Sequence, residues 1–487
     1  MNMPRIVFLN RFFHPDLSAS SQMLSDLAFG LAKRGADVHI ITSRLRYDDP
    51  AARLPARERI NGVTVHRIWT SGFGRRNLAG RAVDYLSFYL SAFGACVRIL
   101  KPGDTLVAKT DPPMISVIGA LAARLRGAEL VNWLQDLFPE VAAAANIRPA
   151  KGRSGRFLQA VRDWSLRRAR VNVAIGQRMH SRLLERGFDP ASVTNIENWA
   201  GDELRPIPRE DNPLRRQWRL ENQFVVGYSG NMGEAHEFDT ILDAAEQLKS
   251  RKNIRFLFIG AGKHLPYIKQ AMQERGLHNI ILQPYQPRER LSESLSAADV
   301  HLMSLRPDFE GLIVPSKFYG ISAVGRPCLH VGAIDGELQK EIVRKNRFEK
   351  GDSQGLAERI LDLASRPEEC ARLGAMRRDR FLANHTLAHG IERWASALRV
   401  RPQRVETRLE HRVPAAADPA TTLHARRVHR PDDGLITDPA GPGVSRKHPE
   451  PSSMRAAAQA EAVTSGSADD SSSRSRTRPE VASTADS

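Results

Sequence analysis

Cysteine is scarce in this 487-residue chain: Cys96, Cys328 and Cys370 are the only three thiols, and they stand far apart. An odd, scattered set supports neither a disulfide framework nor a cysteine-rich metal site, and it fits a reducing, cytoplasmic compartment. No apolar stretch is long and charge-free enough to span a bilayer. The N-terminus runs from Met1 straight into an apolar strand, with no basic leader or small-residue cleavage site, so no signal peptide is expected. Aromatic residues make up 6% of the chain and no nucleic-acid-binding motif accompanies them, which argues against a nucleic-acid partner. Neither an Asp-x-Asp-like carboxylate pair nor a His/Cys cluster stands out, so no metal is expected.

What is present is apolar residue in quantity and positive charge in one place. The 41% hydrophobic content suffices for two cores, and the length exceeds one typical domain. Of the net charge of +17, residues 1–200 carry most, with 29 Lys and Arg against 16 Asp and Glu. Such an excess either aids solubility or brings this half to anionic lipid headgroups or a phosphorylated acceptor.

The run Arg5 to Asn10, a helix-spaced stretch from Ser18 to Lys33, a stop at Gly35 and the run Val38 to Thr42 form a βαβ unit, which implies a parallel sheet. The alternation continues through 105–108, 114–125, 129–133 and 171–175. A polar connection near Asp202 to Arg215 follows, and a second series begins with strands at 224–228, 254–259, 279–282, 300–303 and 327–331 and a helix at 238–248. The expected fold is α/β: two doubly wound Rossmann-like domains facing a cleft, over residues 1–205 and 206–398. Residues 399–487, rich in Arg, Pro, Ala, Ser and Asp, are expected to be a disordered tail.

In open α/β sheets ligands bind beyond the carboxyl ends of the strands. Three strand-to-helix loops of the second domain are unusual there. The first, Tyr228 to Phe238, carries Gly230, Asn231, Gly233 and His236, and its glycines allow a close backbone approach. The second, Phe258 to Lys263, carries Gly260 and Gly262. Each of these is as compatible with a structural turn as with a ligand. The third runs from Arg306 to Pro327, where Pro315 and Ser316 suit a helix start and Gly325 with Pro327 its end. Lys317 in a first helical turn opposes the macrodipole, so a structural role is slightly unfavourable; beside free N–H donors it suits a diphosphate. Glu310, in the preceding loop, can accept sugar hydroxyls or simply be solvated.

These residues resemble the family 4 retaining glycosyltransferases of the GT-B fold, in the branch that builds bacterial surface polysaccharides. The resemblance spans residues 4 to 398 and rests on Phe13 to Asp16, Trp133 to Glu140, Tyr228 to Asn231 with Ala235 to Phe238, Ala297 to Val300, and Glu310-Gly311 through Pro315-Ser316-Lys317 to Pro327. It implies a nucleotide diphosphate sugar, UDP-linked as the commonest case, held mainly by the second domain, and a lipid-linked glycan acceptor held mainly by the first. By the resemblance, Glu310 corresponds to the first family glutamate, on the hexose, while Gly320 stands where the second, on the ribose, is expected. Asn231 and His236 stand where many members place a clamping Arg and Lys, leaving more of the charge to Lys317, with help from Arg306. Ser18 to Ser21 replaces paired glycines on the acceptor side.

Glycosyl transfer passes through an oxocarbenium-like state as the nucleotide diphosphate departs, so negative charge must be stabilised on the leaving group. Lys317 and the helix start can do that with no cofactor. Asp136, after a first-domain strand, either orients acceptor or donor sugar or caps a helix; His14, Ser18 and Ser20 share the acceptor side. Two other functions stay open: a sugar-nucleotide epimerase of the same fold, or a non-catalytic donor-binding subunit. Segments 73–76 with 85–89, and 162–168, either touch an anionic membrane surface peripherally, at its cytoplasmic face, or are ordinary packed helices.

Overall fold

Two predominantly parallel sheets organise the chain in the computed structural model, which describes residues 5–400 apart from residue 17, residues 47, 48, 50 and 51, and residues 74–77. The tail expected to be disordered lies outside the described residues beyond Val400. The first sheet contains β1 (Ile6–Leu9), β2 (Val38–Ser43), β3 (Arg57–Ile60), β4 (Val63–Ile68), β5 (Thr105–Lys109), β6 (Glu129–Leu134), β7 (Val171–Ala174) and β8 (Val193–Asn195). The second contains β9 (Phe224–Ser229), β10 (Ile254–Ile259), β11 (Ile280–Gln283), β12 (Val300–Ser304), β13 (Cys328–Val331) and β14 (Arg347–Phe348).

Spatial order is β3-β4-β2-β1-β5-β6-β7-β8 in one sheet and β11-β10-β9-β12-β13-β14 in the other. Every pairing is parallel except β3 with β4. Central strands β1, β5 and β12 are buried along their whole length, because helices cover both faces. Each order reverses once, between β1 and β5 and between β9 and β12. Those reversals leave a crevice beyond the strand ends, where ligands of such sheets bind.

The helix Ala19–Lys33 illustrates how local sequence builds a layer. It buries Leu24, Leu27, Ala28 and Leu31 on one face. It stops where Gly35 adopts φ 86°, a left-handed turn that lets its amide reach the Ala32 carbonyl at 2.9 Å.

Two features depart from the expected layout. A hairpin, β3–β4, extends the first sheet, turning at Asn61 (φ 47°) and Gly62 (φ 84°). The second-domain boundary is also corrected at its far end: the helix Leu387–Ala397 leaves the second domain and packs on the first. Its Trp394 is fully buried with its ring centroid 4.7 Å from that of Trp133, which stacks on Trp199 at 5.9 Å. The chain therefore crosses between the domains twice, once between Trp199 and Leu204 and again between Phe381 and Leu387. The two crossings touch: Ala200 pairs with Thr386, and its amide donates to the His385 carbonyl at 3.2 Å. Among the described residues no helix is long and apolar enough to cross a membrane.

Candidate functional site

The second-domain switch point collects most of the residues that the sequence singles out. Lys317 opens the helix Lys317–Ala323 and reaches back to the loop after β9. Its ammonium donates to the Tyr228 hydroxyl at 2.8 Å and lies 4.0 Å from the centre of that ring, while the hydroxyl donates to the Asn231 carbonyl at 2.8 Å. Gly230, at φ 126°, leaves the notch it occupies: a Cβ there would lie 3.5 Å from the Lys317 ammonium. Ser316 is the N-cap without a side-chain cap bond. The amides of Phe318 and Tyr319 turn onto the Pro315 and Ser316 carbonyls, at 3.3 and 3.2 Å, so the turn is tighter than a helix start with four open donors. Pro315 is buried; Ser316 and Lys317 are half-buried.

Several expected contacts turn out to be framework. Gly260 (φ 140°) and Gly262 (φ 153°) let the β10 loop lie on the β9 loop, since added Cβ atoms would fall 2.1 Å from the Gly230 carbonyl oxygen and 2.5 Å from that of Met232. Glycine is required at both positions because backbone, and not open space, lies where a Cβ would stand. Gly233 makes room for the Asn231 amide in the same way. His236 is 3% exposed and its Nδ1 lies 2.7 Å from the Ser304 carbonyl, which can only accept, so Nδ1 carries the proton. It braces the loops on either side of the switch point instead of clamping a diphosphate. Arg306 is placed there too, but Glu234 (3.6 Å) and Asp308 (3.3 Å) flank its guanidinium.

Glu310 and Gly311 sit at the seam between domains. The Glu310 carboxylate accepts from the Glu337 amide, its carbonyl takes Arg182 Nη2 at 2.7 Å, and burial pushes its pKa up. Gly311 (φ 71°) faces Arg182, whose Nε would lie 2.6 Å from an added Cβ, which places it at the seam. Next to it Asp136 bridges to Ile313 and the Leu137 amide donates to the Leu312 carbonyl at 2.9 Å. The loops after β6 and β12 thus meet across the cleft.

Sequence reasoning missed Glu337. Its carboxylate accepts from the Gln177 and Arg178 amides at 2.6 and 2.7 Å, capping the first-domain helix Gln177–Glu185 from the second domain. Gly176 admits it, since a Cβ there would meet that carboxylate at 2.6 Å. Only spatial proximity reveals this contact; a glutamate 160 residues away carries no local signal.

On the first-domain side, Ser20 donates to Asp111 at 3.3 Å and His14 is exposed, with its proton affinity lowered by burial, Arg67 and the second-domain Arg288. Both therefore lie near the opening. Ser18 is corrected: it is 3% exposed, the N-cap of the helix Ala19–Lys33, with its amide on Asp16 at 2.8 Å. Gly320, in the place of the second glutamate, faces Leu295 and Leu204.

Comparison with known proteins fits this arrangement. A family model for a glycosyl transferase 4-like domain matches residues 19–199, and one for glycosyl transferases group 1 matches residues 210–380. The chain is 28% identical over 306 residues to the probable glycosyltransferase WbjE of Pseudomonas aeruginosa, covering 61% of this chain and 74% of that one. It is 27% identical over 328 residues to the putative colanic acid biosynthesis glycosyl transferase WcaI of Escherichia coli K12, covering 64% and 79%. HepE of Anabaena, solved with UDP-glucose, superposes with a TM-score of 0.61 at 17% identity over 82% of this chain and 100% of its own. Sucrose-phosphate synthase from Thermosynechococcus elongatus gives 0.64 at 15%, over 82% and 98%. At such identities these two structures speak to the fold alone. Sheet order, the paired crevices and both family models converge: the chain belongs to family 4 of the glycosyltransferases and has the GT-B fold.

Proposed function

We propose that this glycosyltransferase moves a hexosyl or N-acetylhexosaminyl group, with retention of configuration, from a UDP-linked sugar to a lipid-linked glycan in surface polysaccharide biosynthesis. The observation that carries the reading is the Lys317 ammonium held in the notch beside Gly230 at the second-domain switch point. There it meets the charge that develops on a departing diphosphate, together with main-chain dipoles at Ser316. Relatives lend support: WcaI is described as acting in colanic acid biosynthesis, and HepE was solved with UDP and with UDP-glucose. Glu310 and Asp136, on loops that touch across the cleft, are assigned to the transferred sugar and the acceptor. No metal is given a role, since Lys317 supplies the countercharge.

The lipid-linked acceptor agrees with the outer surface of the first domain. Val83, Leu86 and Leu90 form an exposed stripe on the helix Leu78–Ile99, near Trp69 and Phe73 in sequence. The excess of basic residues lies in the same half of the chain. Exposed apolar side chains in the half of the chain that holds most of the positive charge suit an anionic membrane face.

Lys317→Ala tests the core of this reading. UDP release from UDP-sugars is expected to fall on the order of 100-fold, as for loss of one preorganised donor to developing charge. Product formation equal to wild type would sink the proposal, and conversion of the sugar nucleotide without any acceptor would favour the epimerase.

A further inference from the structure

Lys109, at the end of β5, is 0% exposed, and its ammonium has no hydrogen-bond partner among the described residues. Its nitrogen lies 3.5 Å from the centre of the Trp133 ring. The charged groups that act on it come from each element around it: Asp111 beyond β5, Asp136 beyond β6 and Asp26 on the helix Ala19–Lys33. Lys109 pairs in register with Trp133 of β6, so the loop that carries Asp136 begins beside it, and all three carboxylates are half-buried. Asp26 in turn lies 3.6 Å from Arg288 of the second domain, and Asp111 accepts from Ser20. If this position only had to be filled, methionine would fill it without the penalty of an unbonded buried ammonium.

We propose that Lys109 is a positioning residue of the transfer reaction, supplying the countercharge that keeps Asp136 ionised where the two domains meet. The inference rests on the transferase reading, in which Asp136 meets the acceptor. Lys109 touches no substrate; it acts through the carboxylates. Burial lowers its proton affinity to about 7, against Asp111, Asp136 and Asp26, which raise it. The cation over Trp133 adds to the ammonium form. The countercharge is therefore present below neutral pH and withdrawn above it.

The test uses the full chain with 13C-carboxyl aspartate, followed by NMR from pH 4 to 9, with the Asp136 resonance assigned by Asp136→Asn. In Lys109→Met the proton affinity of Asp136 is expected to rise at least tenfold. In wild type the same resonance should show a second, smaller step near pH 7 that reports the lysine, and Asp111→Asn should move that step to lower pH. An Asp136 midpoint within twofold of wild type in Lys109→Met overturns the proposal. Should that variant not fold, a wild-type Asp136 resonance without the second step overturns it equally. Turnover gives the functional arm. UDP release from UDP-glucose should fall at least tenfold in Lys109→Met while the Kd for UDP stays within twofold, and an unchanged rate counts against the role. Absence of turnover in wild type would instead strike the transferase reading with this donor, and the carboxylate titration would still decide the role of Lys109.

Discussion

Lys317 and Gly230 work as a pair, and neither explains itself alone. An ammonium in a first helical turn opposes the macrodipole, yet here it is turned away from the helix onto the Tyr228 ring and hydroxyl. Gly230 lies beside that route, in contact with the end of the lysine. At φ 126° only glycine sits without strain, so Gly230→Ala carries a backbone penalty of about 1–3 kcal/mol and sets a methyl against the lysine. The expected result is a melting temperature below wild type and a loss of UDP-dependent thermal stabilisation, which a thermal shift with and without UDP reads together. Stabilisation by UDP equal to wild type would mean that the notch does not matter.

Lys317 stood out in the sequence because its position broke a rule that structure alone would have kept, and the fold places it at the switch point. His236 and Ser18 were misread for the opposite reason: loop position suggests access, and burial is decided by what packs over the loop. Lys109 gave a faint signal, a charged residue closing the apolar run Thr105 to Ala108, but the ring of aspartates around it comes from three separate segments.

At the scale of elements, the alternation of strand and helix predicted two parallel sheets, while their strand order and switch points come from the structure. The β3–β4 hairpin escaped notice although Asn61-Gly62 between alternating residues is a strong hairpin signal; the charged Arg57-Glu58-Arg59 run masks the pattern. The last helix, Leu387–Ala397, was assigned to the wrong domain because its apolar face does not encode which core it joins. Gly390 settles the matter in space: a Cβ there would meet the Trp199 ring at 2.5 Å. Trp394→Ala removes the side chain that fills the gap against Trp133. Loss of so large a buried group costs about 3–5 kcal/mol. Denaturant unfolding followed by tryptophan fluorescence is expected to show the first domain destabilised, although the substitution lies in the C-terminal segment. A loss confined to the second domain would contradict the packing.

For the whole molecule, the seam and the outer surface carry separate predictions. Burial holds the Glu337 carboxyl above the ordinary glutamate value of 4.5. The folded state then binds more protons than the unfolded one between that value and the raised one, so this group favours folding most at low pH and less as pH rises. The melting-temperature advantage of wild type over Glu337→Gln should accordingly be larger at pH 4.5 than at pH 8. An advantage that grows with pH would mean that the amides of Gln177 and Arg178 outweigh burial.

On the outer surface, flotation with anionic liposomes should enrich the protein at low salt and less at high salt. Replacing Leu86 and Leu90 by Ser should reduce that enrichment, and equal flotation with neutral vesicles would remove the electrostatic part of the argument.

The two adjacent strands of chain at Ala200 and Thr386 have a mechanical consequence. A single connecting segment would leave the halves able to twist, slide and swing about one another. Two segments pinned side by side remove most of those freedoms and leave chiefly rotation about their common line. A substrate that bridges the lobes then has little more than one angle to fix, and the entropy lost on closing is correspondingly small.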